Sequence, residues 1–144
     1  MKRRYRIRTR GEFLRVYEGG RSVANQAAVL YAVRTGTPES RVGFAVGKKL
    51  GSAVVRNRAK RRVREAVRLL WPAVKGGGAF VVIARRPALD MPFSELLRKT
   101  AELFRRAGFL KEKDPRVRAL LGPRGRPGGG RAQPQGPAGG EAKA

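Results

Sequence analysis

The run Arg56-Asn57-Arg58-Ala59-Lys60-Arg61-Arg62-Val63-Arg64 holds the residue types and spacing with the clearest chemical meaning in this chain. Guanidinium forks grip phosphate oxygens in bidentate fashion, and an asparagine amide can bond a base edge or a 2′-hydroxyl. At 3.6 residues per turn, Arg56, Asn57, Lys60, Arg61, Arg64 and Arg68 share one side of a helix. Val55, Ala59, Val63, Ala66, Val67 and Leu70 share the other. Seven cations occupy the thirteen positions from Arg56 to Arg68, with Glu65 as the one acid among them. A merely solvated face interleaves both signs, because each like-charge pair four residues apart costs about 0.2 to 0.5 kcal/mol. A polyanion lying along the face removes that penalty. Just upstream, Lys48 and Lys49 sit in a glycine-flanked loop before the helix N-terminus, where free backbone amides also favour anions.

The whole chain leans the same way. Its 144 residues carry 34 lysines and arginines against 10 acids, a formal charge of +24, which calls for a polyanionic partner. There are no cysteines and no histidines, which excludes disulfides, thiolate or imidazole metal sites, cysteine nucleophiles and histidine bases. Glu12, Glu18, Glu39 and Glu65 are dispersed, so neither a catalytic residue nor a metal ligand set is expected on the protein. No apolar stretch approaches the ~18 to 20 residues of a spanning helix. The basic start, Met1 to Arg10, runs into Glu12 and Arg15 rather than an apolar signal core. A cytoplasmic protein without a membrane partner is the expectation.

The elements that must position the basic helix can be read from the pattern. Thr9-Arg-Gly-Glu12 fits a capping box, and Phe13, Leu14, Val16 and Tyr17 follow at helical spacing until Gly19-Gly20. Residues 27–34 and 42–46 alternate as two strands around the turn Gly36 to Ser40, which predicts a hairpin. Gly51-Ser52 opens the basic helix and Trp71-Pro72 ends it. Ala79 to Ala84 is continuously apolar, as a buried strand requires. From Pro92 a last helix puts Phe93, Leu96, Leu97, Ala101, Phe104 and Ala107 on one face. The expected fold class is α+β, a small mixed sheet in the order α-β-β-α-β-α with helices on one face. Ordinary handedness makes the strand-helix-strand crossover right-handed. The domain is expected over residues 1–113, with 114–144 as a flexible, basic, Gly/Pro-rich tail: residues 122–144 hold eight glycines and four prolines and few apolar side chains.

Arg41-Val-Gly-Phe-Ala-Val-Gly-Lys-Lys-Leu-Gly-Ser-Ala-Val-Val-Arg-Asn-Arg-Ala-Lys-Arg-Arg-Val-Arg-Glu65 resembles the signature block of the bacterial ribonuclease P protein family. The likeness extends to Phe13-x-x-x-Tyr17, Val29-Leu30-Tyr31 and Ile83-Ala-Arg-Arg-Pro87, over roughly residues 4 to 110. It implies a left-handed crossover of the ribosomal protein S5 domain 2-like kind, against the ordinary handedness. It also implies a non-catalytic subunit of an endoribonuclease whose chemistry is carried by RNA. One protein, monomeric before assembly, would join one ribonuclease P RNA, with precursor tRNA as substrate and Mg²⁺ held mainly by RNA.

By the same resemblance, Arg56, Asn57, Arg58, Lys60, Arg61, Arg62 and Arg64 bind the RNA subunit, and Arg68 continues their face. Phe13, Tyr17, Val29, Tyr31, Phe44 and Lys48 line a cleft for the single-stranded 5′ leader. By residue type alone, those aromatics suit an ordinary core better than a leader surface; the resemblance reverses that preference. Gly47 stands where the family commonly has serine, and Gln26 where it often has arginine. Two other classes share the basicity: a ribosomal protein, which would bind ribosomal RNA without a processing role, and a DNA-binding or nucleoid protein. The latter is disfavoured by the absence of a helix-turn-helix pattern.

Overall fold

The computed structural model describes residues 1–123. A four-stranded sheet of β1 (Arg21–Ala24), β2 (Ala28–Arg34), β3 (Arg41–Val46) and β4 (Gly78–Ala84) is flanked by α1 (Arg10–Gly19), α2 (Ala53–Leu70), α3 (Phe93–Arg106) and α4 (Pro115–Leu121). The predicted caps form. Thr9 accepts from the Glu12 amide at 3.2 Å and Ser52 from the Val55 amide at 3.3 Å, each satisfying one free donor of a first turn.

The hairpin expected between β2 and β3 does not form. The sheet runs β1-β2-β4-β3, so β4 lies between them, antiparallel to β2 and parallel to β3. The cause lies in β4 itself, whose residues from Phe80 to Ala84 are buried on both faces; a strand with no polar side must sit inside the sheet. The hairpin that does form joins β2 to β1, a strand whose short Arg-Ser-Val-Ala sequence lacks alternation. Asn25 closes its turn. The side-chain oxygen of Asn25 accepts from the Ala27 amide at 2.9 Å, and its amide nitrogen donates to the Lys99 carbonyl at 2.9 Å.

Helices cover both faces of the sheet rather than one. Val16 of α1 packs with Val29, Tyr31, Val81 and Ile83, while α2 and α3 bury Val63, Val67, Leu96 and Phe104 against Leu30, Phe80 and Val82 on the opposite side. The crossover is left-handed, and the β1-β2 pairing shows why. Asn25 N–H donates to the Ala28 carbonyl at 3.1 Å, so by alternation residue 30 also turns its amide and carbonyl towards β1. The Leu30 side chain points to the α2 side. For an L-residue these two directions place β4 and then β3 on a defined hand, and a connection from β3 through α2 to β4 on the Leu30 side can only be left-handed.

The compact unit also extends past the expected boundary at 113. Asp114 caps α4 by accepting from the Arg116 amide at 2.9 Å, and Val117 is fully buried. Leu120 and Leu121 pack on the α2–α3 core, while Arg105 donates to the Gly122 carbonyl at 2.8 Å. Residues 114–123 therefore belong to the fold and not to a tail, because three apolar side chains over one short helix offset its ordering. The remainder of the expected tail, 124–144, lies outside the described residues.

Candidate nucleic-acid interface

The apolar stripe of α2 sinks Ala59, Val63, Ala66, Val67 and Leu70 into the core, which turns the opposite side outward as a rigid basic face. Asn57, Arg58, Arg61 and Arg68 are exposed there; Arg56, Lys60 and Arg64 are half-buried along its margin. Arg68 donates to Glu65 at 2.9 Å through its Nε, so the single acid of the helix offsets its last cation and leaves the upstream cations unopposed. Arg64 lies over the Phe44 ring, 5.8 Å from its centroid. Burial, then the charges of Arg6 and Arg61, push the Arg64 guanidinium below its ordinary range. The buried Nε–H groups of Arg56 and Arg64 have no hydrogen-bond partner among the described residues. Buried donors of this kind normally find an acceptor.

Arg62 differs from its neighbours. Its guanidinium donates to the carbonyls of Ala88 and Leu89 at 2.9 Å each and of Met91 at 2.7 Å. It is thus a structural clamp on the turn after β4, not a member of the open basic face to which the family resemblance assigned it. Helical spacing could not reveal this, because the three acceptors lie 26 to 29 residues away.

The second proposed surface is only partly assembled as expected. Phe13 and Tyr17 stand one turn apart on α1, their rings 6.5 Å apart, and Tyr17 meets Tyr31 edge-on at 5.1 Å. Phe13 reaches over β3 because Gly43 has no side chain there: a Cβ would come within 2.7 Å of the Phe13 ring. Val29 is 0% and Tyr31 7% exposed, so both serve the core beneath α1. Burial raises the Tyr17 phenol above its ordinary range, with a further contribution from Tyr31. Phe44 is not in this group. Residues 42, 44 and 46 alternate onto the α2 side of β3, so its ring lies under Arg64 on the opposite face of the sheet. Lys48 is exposed on the turn that follows β3.

At the edge of β3 away from β4 the two faces come close. One cavity there is lined by Phe44, Val46, Ala53, Arg56, Asn57 and Lys60. Its neighbour brings in Arg6 and Arg8 from the N-terminal segment, residues outside the basic helix and the aromatic set named from the sequence. Their alternation with Tyr5, Ile7 and Thr9 was the available signal, since it marks an edge strand with one basic side.

Fold and site together define a basic α+β protein whose longest described helix presents an almost unopposed row of cations. The Ribonuclease P family model matches residues 1–108. Among similar proteins, the ribonuclease P protein component of Symbiobacterium thermophilum is 62% identical over 115 residues, covering 78% of this chain and 99% of the relative. That of Bacillus cereus strain AH187 is 39% identical with the same coverage. The Staphylococcus aureus ribonuclease P protein structure superposes with a TM-score of 0.65 at 34% identity, covering 74% of this chain and 97% of that one. The Thermotoga maritima protein gives 0.64 at 32%, covering 70% and 96%. The chain belongs to the bacterial ribonuclease P protein family.

Proposed function

We propose that this chain is the RNA-binding subunit of a ribonuclease P. In this reading it docks on the catalytic RNA through the outer face of α2, holds the 5′ leader of precursor tRNA along α1, and works in the cytoplasm as one copy per RNA. The observation that carries the reading is the unopposed row Arg56, Arg58, Lys60 and Arg61 on the α2 of a ribonuclease P fold. The reaction is endonucleolytic hydrolysis that leaves a 5′-phosphate on mature tRNA. Mg²⁺ on RNA phosphates supplies the Lewis acid and the activated water.

Among the described residues, Glu12 pairs with Arg41, Glu65 with Arg68, Glu112 with Arg105 and Asp114 with Arg116, and no three acids converge. What the chain contributes is charge neutralisation between two RNAs and placement of the scissile bond. It has no helix, among the described residues, long and apolar enough to cross a membrane.

The direct test is cleavage of 5′-extended precursor tRNA at low Mg²⁺ by a bacterial ribonuclease P RNA, with and without this protein. Stimulation, with no cleavage by protein alone, is the expected result; tight RNA binding without stimulation would point to a purely structural RNA binder. A finer expectation concerns Tyr17, the half-buried ring of the α1 surface. A base stacked on an aromatic contributes roughly 1 to 3 kcal/mol, so Tyr17→Leu should weaken binding of leader-bearing substrate to the assembled enzyme by roughly 5- to 150-fold. Binding of leaderless tRNA should stay unchanged; an equal loss for both would remove Tyr17 from the leader surface.

A further inference from the structure

The fold carries Arg6 and Arg8 to the RNA face from outside any of its principal elements. Ile7 N–H donates to the Val42 carbonyl at 2.9 Å and Arg6 pairs with Val42 in parallel, so the N-terminal segment lies along β3 as a short additional strand. Arg41 pins it there, donating to the Arg6 carbonyl at 2.8 Å while ion-paired with Glu12. Ile7 is buried on the α1 side; by alternation Arg6 and Arg8 turn to the α2 side.

There they meet Lys60 and Arg64 around a cavity of about 360 Å³ whose floor includes Phe13, Gly43 and Phe44, with no acid in its lining. Four cations so placed around one cavity repel one another. An anion with several acceptor oxygens relieves that repulsion. The aromatic floor adds contact for a ribose or base, which a free inorganic ion would not use.

We infer that Arg6, Arg8, Lys60 and Arg64 form a phosphate-binding subsite for an RNA strand that crosses the β3 edge, joining the basic face of α2 to the aromatic surface of α1. This rests on the proposed function and extends it to residues at the start of the chain. The strand's phosphate belongs either to the RNA subunit or to the leader, and two arms of one experiment separate these sources.

The full chain carrying Arg6→Gln and Arg8→Gln is titrated against ribonuclease P RNA over a series of salt concentrations. The assembled enzyme is then titrated with precursor tRNA bearing or lacking a leader. Each phosphate contact contributes about 0.7 to 0.9 to the slope of log affinity against log salt. The expected result is a slope lower by about 1 to 2, with an affinity loss on the order of tenfold at moderate salt. Loss towards the RNA subunit alone assigns the phosphate to that RNA; loss confined to leader-bearing substrate assigns it to the leader. Wild-type slopes in both arms would overturn the subsite. Arg6→Lys with Arg8→Lys should restore the slope, and if these lysines are as poor as glutamines the effect is structural and the inference fails. Were the wild-type chain itself to bind neither RNA, the proposed function would fall with it; a failure confined to the variants leaves that function standing.

Discussion

Replacing Arg56, Arg58 and Arg61 together with alanine is expected to weaken binding to ribonuclease P RNA by roughly a hundredfold near ~0.15 M salt and to flatten its salt dependence. The magnitude follows from counterion release. Three lost phosphate contacts lower the slope of log affinity against log salt by about 2.7, and a slope of that size, extrapolated from ~1 M salt, corresponds to about two decades of affinity. The fold should tolerate the change. Arg58 and Arg61 are exposed on the outer face of α2, and surface substitutions of this kind usually alter stability by no more than about 0.5 kcal/mol. Removing like charges from one helix face even relieves repulsion. The measurement is a titration across salt concentrations, with thermal unfolding as the control. Retention of both wild-type affinity and wild-type slope would show that α2 is not the RNA face.

One residue further along, the opposite outcome is expected. Arg62→Ala should lower the free energy of unfolding by roughly 2 to 4 kcal/mol, a large share of the ~5 to 15 kcal/mol typical of a domain. The three carbonyls of Ala88, Leu89 and Met91 lose a charged donor together, and the turn that leads from β4 to α3 loses its tie to α2. A lysine cannot present a planar fork to three acceptors, so Arg62→Lys should recover little. Chemical denaturation reads the stability, and a salt titration on the folded variant should give the wild-type slope. An unchanged unfolding energy with a lower salt slope would instead return Arg62 to the RNA face.

The contrast between Arg61 and Arg62 shows where the sequence is legible. Periodicity separated the apolar stripe of α2 from its charged side, and Val63, Val67 and Leu70 are indeed buried. It could not say that a basic side chain at the boundary of the stripe folds back onto carbonyls of a distant turn. Phe44 is a similar case. The family resemblance placed it with Phe13 and Tyr17, but strand alternation from the buried Val42 puts its ring on the other face, beneath Arg64.

By itself, the sequence determined the helices α1, α2 and α3, the strands β2, β3 and β4, and the crowding of cations on one helix face. These are local properties, set by capping residues, by periods of 3.6 and 2, and by charge counts within a few turns. Only the tertiary structure decided that β4 separates β2 from β3, that α1 takes the opposite face from α2, and that Arg6 stands beside Arg64 at the β3 edge. Strand partners and cross-chain contacts are chosen by which arrangement buries all the apolar faces together. That choice is a property of the whole packed chain, and it divided a run of arginines into one that clamps a turn, Arg62, and others left exposed on the outer face of α2.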